Sequence, residues 1–220
     1  MFNTILLCTV SSAAQNALAA STTLEYKGFA YGSTSGTIYA DLNQAKYGLE
    51  SKSTAAGGLN MIEKSTGTSL IAWCVDVFHA LNNKFEYTIG NSSQLNRADD
   101  LQKLVNQRYA EVTDKKTSTA FQLAIWEIVT DTGGGYSLAN GTFQASGFGN
   151  AQALAGNWLK LDGKTTGNYK INYFYDGIMN DKTIAQNLIS ISSVPLPGAA
   201  ILMLSALGLG GLLHRRRRIA

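Results

Sequence analysis

The sequence is short of the residues that punctuate, staple and charge a chain. It has two prolines, two cysteines, two histidines and 15% charged residues in a length of 220. Each shortage excludes something. With His79 and His214 as the full complement of imidazoles, a zinc site or a Ser-His-Asp triad lacks its material. So low a charged fraction beside 45% apolar residues excludes a disordered acidic or basic tail, and the composition is not that of a polytopic membrane protein either. The net charge is +3, but four of the 18 basic residues form the run Arg215, Arg216, Arg217 and Arg218, and without it 14 basic residues face 15 acidic ones. The body of the chain therefore has no basic excess to neutralise a string of phosphates, and no nucleic-acid partner is expected. What is plentiful is glycine, 22 residues, which points to a turn-rich, β-containing exported domain. The length allows one domain with terminal extras and is sufficient to bury a core.

Both ends read as address labels. Met1 to Ala20 carries no charge, runs through the apolar Ile5-Leu6-Leu7-Cys8-Thr9-Val10, and ends in the small-x-small pattern Ala17-Leu18-Ala19. This is the pattern of a secretory signal peptide cleaved after Ala19, so that residues 1–19 would be removed. At the other end, Gly198 to Leu213 is 16 residues without a charge. As a helix it would span about 24 Å, short of a hydrocarbon core of roughly 30 Å. The cluster Arg215 to Arg218 stops it, and the positive-inside tendency places that cluster in the cytoplasm and the rest of the chain outside.

The sequence Val194-Pro195-Leu196-Pro197, followed by a short apolar helix and a terminal arginine cluster, resembles the PEP-CTERM family of sorting signals in its VPLPA variant. Gly198 stands where that variant usually has Ala. The resemblance covers residues 194–220. It implies export in a Gram-negative bacterium, recognition by a membrane-embedded exosortase together with the secretion machinery, and transient or permanent anchoring through residues 198–213 in the cell envelope or release to the extracellular matrix. An ordinary uncleaved tail anchor would give the same topology.

Between these labels, residues 20–193 read as one secreted α+β domain, β-rich and sandwich- or barrel-like, with a helical insertion between β segments. Thr22 to Tyr31 and Gly36 to Leu42 suggest a hairpin of two strands, and Gly67 to Phe78 a third strand. Leu95, Ala98, Leu101, Leu104, Val105 and Tyr109 recur at helical spacing behind a cap at Ser92 or Ser93. Thr117 to Val129 is apolar on nearly all sides and predicts a buried helix; Ala151 to Leu161 predicts another. Tyr169 to Tyr175 and Asn187 to Ser192 close the domain as strands.

Once the signal is removed a single cysteine remains, Cys74, which in an oxidising compartment has no intramolecular disulfide partner. It lies in the alternating run Ala72-Trp73-Cys74-Val75-Asp76-Val77, which predicts Cys74 and Asp76 on one strand face. In Phe121-Gln122-Leu123-Ala124-Ile125-Trp126 a polar amide interrupts a greasy helix. A buried amide without a partner costs roughly 1 to 3 kcal/mol, so Gln122 calls for one.

Cys74 on an early strand and the segment Gln122-Leu123-Ala124-Ile125-Trp126, 48 residues later, resemble the thioester domains of bacterial surface adhesins. The resemblance spans about residues 60–175. It implies that Cys74 and Gln122 condense into an internal thioester with loss of ammonia. Trp73, Phe121 and Trp126 would shield it from water, and Asp76 or His79 are candidate bases. The domain would then be a single-turnover covalent adhesin, not an enzyme, with an extracellular polysaccharide or a surface amine or hydroxyl as its target and no cofactor or metal. Each piece also has a plainer reading. A lone cysteine is more often a packed core thiol, Gln122 can simply bond to nearby backbone, and Trp126 can be core. The domain would then be a non-covalent structural or polysaccharide-binding module on the same tail. Cys74 with His79 as a secreted cysteine hydrolase is a weaker alternative, as is calcium binding at Asp131 or Asp162.

Overall fold

Along the first strand, β1 (Ser21–Phe29), buried Thr22 and Leu24 alternate with more exposed Ser21, Thr23 and Glu25. A strand with one apolar face needs partners on both edges. β1 finds them in β4 (Leu59–Glu63) and β6 (Lys84–Asn91), both antiparallel. The computed structural model describes residues 20–40, 50–77, 79–81, 84–163, 167–179 and 183–194. With β5 (Ser69–Cys74), β8 (Tyr169–Met179) and β10 (Leu188–Ser193), these strands form a ring in the order β10-β5-β4-β1-β6-β8, closed where β10 pairs with β8. Closure into a six-stranded barrel leaves no open edge.

A second, three-stranded sheet places β2 (Thr34–Ala40) between β3 (Glu50–Ala56) and β7 (Phe143–Ser146). The short β9 (Thr183–Ile184) folds back on the far end of β8. Helices α1 (Ala98–Arg108), α2 (Lys115–Thr130) and α3 (Asn150–Trp158) lie in the chain between β6 and β8, so the domain is β-rich with a helical insertion, as the sequence predicts.

α2 joins the two sheets. It packs on β5 of the barrel, on β2, β3 and β7 of the second sheet, and on α1 and α3 beside it. Every residue from Ser118 to Ile128 is consequently buried. The two small polar residues in that buried run, Ser118 and Thr119, are both partnered. The Gly58 N–H donates to the Ser118 hydroxyl at 2.9 Å, and the Thr119 hydroxyl donates to the Ala56 carbonyl at 3.1 Å. These bonds fix α2 to the stretch where the chain leaves β3 for β4. Gly58 is required there, because a Cβ would come within 2.8 Å of the Trp73 ring.

Several sequence expectations change. The residues expected to pair as a hairpin form β1 and β2, which lie in different sheets and do not pair. The chain crosses between the sheets at residues 30–33, where the Ala30 N–H bonds to the Gly58 carbonyl. The third strand stops at Cys74, so the alternation expected to run on through Asp76 ends there. Asn91, not Ser92 or Ser93, caps the helical region: its side chain accepts from the Ser93 N–H and opens a 3-10 turn, Ser92–Gln94, ahead of α1. α2 starts earlier than expected, with Asp114 as its cap in a reciprocal arrangement with Thr117.

The segments assigned to the signal peptide, to Pro195, Leu196 and Pro197, to the apolar helix 198–213 and to Arg215–Arg218 lie outside the described residues. Among the described residues no helix is long and apolar enough to cross a membrane. The strand directions do orient the domain. β10 passes Cys74 at Leu188 and runs on to Ser193, so the chain leaves at Val194, about 20 Å along the strand from Cys74. β1 begins at that same far end, since Leu24 pairs with Glu63 there.

Candidate functional site

Gln122 lies one helical turn beyond Ser118, on the same side of α2, and is 1% exposed. Its amide meets the backbone of Cys74 edge to edge. Nε2 donates to the Cys74 carbonyl at 2.7 Å, and Oε1 accepts from the Cys74 N–H at 3.0 Å. The reason is topological. β4 begins at Leu59, opposite Ala72, so beyond that pair β5 has no strand on this side. The Gln122 amide stands where the next strand residue would, and supplies one acceptor and one donor.

The Cys74 side chain turns over the end of its strand. Sγ donates to the Asp76 carbonyl at 2.9 Å, and the Asp76 N–H approaches the sulfur at 3.4 Å. Burial pushes the thiol up to about 12, and the Asp76 charge pushes in the same direction. The Trp126 indole, the Asp76 backbone and the Lys52 charge pull weakly the other way. The Trp126 N–H makes no hydrogen bond of ordinary geometry, yet it lies against the sulfur. Cys74 is thus a neutral, desolvated thiol on the residue whose backbone holds the Gln122 amide. A cavity of about 270 Å³ opens on this pair, lined by Cys74, Gln122, Trp126, Lys52, Phe29 and Leu81 among others.

The other residues singled out from the sequence divide. Trp126 borders the cavity, whereas Trp73 and Phe121 pack behind it, edge to face at 4.8 Å between ring centroids, and are fully buried. Asp76 and His79 are bound to each other: His79 Nδ1 lies 2.6 Å from Asp76 Oδ2, and the His79 N–H donates to Asp76 Oδ1 at 3.3 Å. Neither lines the cavity. Asp131 organises its own loop, accepting from the Thr142 N–H and hydroxyl, both at 2.7 Å. Burial acts to raise its carboxyl, but the Thr142 and Gly133 bonds and the Arg97 charge outweigh that and leave it below the usual range.

Two residues carry no motif in the sequence. Lys52 sits in β3 between exposed Ser51 and Ser53, and in so polar a run the sequence holds no signal that it faces inward. Glu127 directly follows Trp126 and is fully buried on α2. Its Oε1 accepts from the Ser137 N–H at 2.6 Å, while Oε2 has no partner. Burial, partly opposed by the Ser137 bond and helped by Asp131, raises its carboxyl to about 7. Among the described residues no three His, Cys, Asp or Glu side chains gather as a set of metal ligands. Comparison with known proteins adds no relative: no family model matches the chain, and no curated protein matches it.

Proposed function

We propose that the domain is an exported surface module that closes Cys74 and Gln122 into an internal thioester and uses it once, to attach covalently to an extracellular acceptor. The observation that carries this reading is the Gln122 amide held by both its polar atoms against the residue that bears the sulfur, at the wall of a cavity. Closure needs three things, and the site has a group for each. Sγ attacks the Gln122 amide carbon, an encounter whose effective concentration reaches on the order of 10⁵ to 10⁸ M when such groups are well oriented. Negative charge develops on Oε1, where the Cys74 N–H already donates. The C–N bond breaks, and Nε2 leaves as ammonia carrying the thiol proton.

Persistence follows from the same burial. A thiol pushed up to about 12 is a poor leaving group, so the thioester resists water until a better-placed nucleophile arrives. An acceptor amine or sugar hydroxyl then adds to the carbonyl, the S–C bond breaks as the new amide or ester forms, and the acceptor's proton passes to sulfur. The resemblance of Val194 to Ala220 to an exosortase signal supports envelope or matrix location, and the exit of the chain at the barrel end opposite Cys74 suits presentation of the site away from the attachment point.

The test is the intact mass of the domain, residues 20–193, with and without methylamine. The expected product is one ammonia lighter than its sequence, gains methylamine, and then exposes one titratable thiol. A second reading rests on the same pair of bonds: with both amide atoms satisfied, Gln122 is a structural residue, and the domain is a non-covalent structural or polysaccharide-binding module. An unmodified mass and a buried free thiol would establish that reading instead.

A further inference from the structure

The cavity at Cys74 holds one charged side chain, and no motif points to it. Lys52 lies on the inner face of β3: Ser51 and Ser53 on either side are exposed, and its cross-strand neighbour Ile38 is buried. It lines the same cavity as Cys74, Gln122 and Trp126. The rest of that lining is neutral, being aliphatic, aromatic, amide and hydroxyl groups. Among the described residues the Lys52 ammonium makes no hydrogen bond and no ion pair, unlike Lys27, Lys64 and Lys103, each of which holds a carboxylate. A lysine on the wall of a cavity without a counter-ion is available to pair with an anion that forms beside it.

We propose that Lys52 is a working residue of this site, its ammonium stabilising the Cys74 sulfur as it takes negative charge when the acyl group passes to the acceptor. The inference rests on the thioester reading. In that step the acceptor oxygen or nitrogen bonds to the Gln122 carbonyl carbon, the S–C bond breaks, and the electron pair goes to sulfur, which leaves as a thiolate paired with Lys52. The acceptor's proton then reaches the sulfur. The cation has a clear task because the other groups facing the sulfur are unhelpful. Asp76 opposes a thiolate, and the Tyr87 phenol on β6 is itself pushed up by burial and by the neighbouring sulfur and carboxylate. Lys52 on β3 supplies a formal positive charge that acts on that sulfur. Beside that charge the acceptor reacts as a neutral nucleophile, a sugar hydroxyl or an unprotonated amine, above all on a polysaccharide that also carries carboxylates.

The experiment compares wild type, Lys52→Met and Lys52→Arg. Intact mass first scores ammonia loss, and the rate of methylamine uptake is then followed by mass and by release of the Cys74 thiol. Lys52→Met is expected to slow uptake about tenfold, the factor that one unit of thiolate stabilisation represents, and Lys52→Arg to restore it to within about threefold. In a Gln122→Ala background, which cannot form a thioester, the rate of Cys74 alkylation at one fixed pH is the independent reading, and Lys52→Met should slow it severalfold while Lys52→Arg does not. Equal uptake rates in wild type and Lys52→Met would overturn the assignment while leaving the thioester intact. A wild-type chain that is one ammonia lighter, refractory to methylamine and already bearing a free thiol would show Lys52 joined to Gln122 as an internal amide, which also overturns it. No ammonia loss in wild type removes the thioester reading itself and this role with it.

Discussion

The two ends of the barrel hold cavities of nearly equal size, about 270 Å³ beside Cys74 and about 260 Å³ at the end where the chain enters and leaves. They differ in what their polar groups are doing. At the entry end Thr22 donates to Glu63 at 2.9 Å, and Glu63 also accepts from Ser65 and Thr66. The bonds from Thr66, Thr22 and Ser65 hold its carboxyl below the usual range. Asn172 reaches Ser190 and Ser192. Polar groups there are committed to one another. At the Cys74 end the thiol is neutral and desolvated, the lysine has no counter-ion among the described residues, and the amide is bound to the backbone of the residue it would acylate. Size does not distinguish a site from a void; uncommitted chemistry does.

The largest effects should break that contrast outright. Cys74→Ala and Gln122→Ala are each expected to abolish both the ammonia loss and the methylamine adduct, while Asn172→Ala at the other end leaves both intact; intact mass on the three variants decides it. Gln122→Ala carries a second cost, since it strips the partners from the Cys74 N–H and carbonyl, about 1 to 3 kcal/mol in urea unfolding. Next comes packing. Phe121 is fully buried against Trp73, Tyr109 and Trp158, so Phe121→Ala should cost about 3 to 5 kcal/mol. Ile89 at the entry end is 38% exposed, and Ile89→Ala should cost below about 1 kcal/mol by the same unfolding measurement.

A third prediction separates the two flanks of α2. Glu127, on the flank that meets the 131–142 loop, keeps its proton when folded up to about 7 against an ordinary 4.5. The folded chain then binds a proton that the unfolded chain releases, so stability falls as pH rises from about 4.5 to about 7 and is level beyond. Glu127→Gln, which keeps an acceptor for the Ser137 N–H, removes that fall. It should match wild type below about pH 4.5 and exceed it by about 2 to 3 kcal/mol above about pH 7, read from unfolding curves across that range.

How much of this was legible in the sequence differs by element. α2 could be read because Ala120, Phe121, Leu123, Ala124, Ile125, Trp126 and Ile128 leave little of the helix surface polar, and the amide of Gln122 among them announces a partner. β3, with Glu50, Ser51, Lys52, Ser53 and Thr54 in succession, has no apolar face by which to read as a strand. Barrel closure was illegible for a different reason. β1 pairs with β4 and β6, and β10 with β5, so most of the pairings that build the ring join distant segments and leave no local signature. The juxtaposition of Cys74 and Gln122 could be suspected from motif alone, but the device that produces it could not. That device is the late start of β4, at Leu59, which frees one edge of β5 for a side-chain amide.

The smallest effect is also the most searching. Asn172 is partly buried, and its contacts to Ser190 and Ser192 are long, 3.4 Å each. Its replacement by Ala opens the entry cavity to water that can satisfy both hydroxyls, so a loss under about 1 kcal/mol is expected. Yet Ser190 sits on β10 only two residues from Leu188, the residue paired with Cys74. If the two ends are independent, Asn172→Ala leaves the methylamine rate unchanged. If that rate shifts severalfold with so little change in stability, β10 carries a displacement from one cavity to the other. The entry end would then tune the reactive one, and what the chain meets where it leaves the barrel would bear on how fast Cys74 lets go.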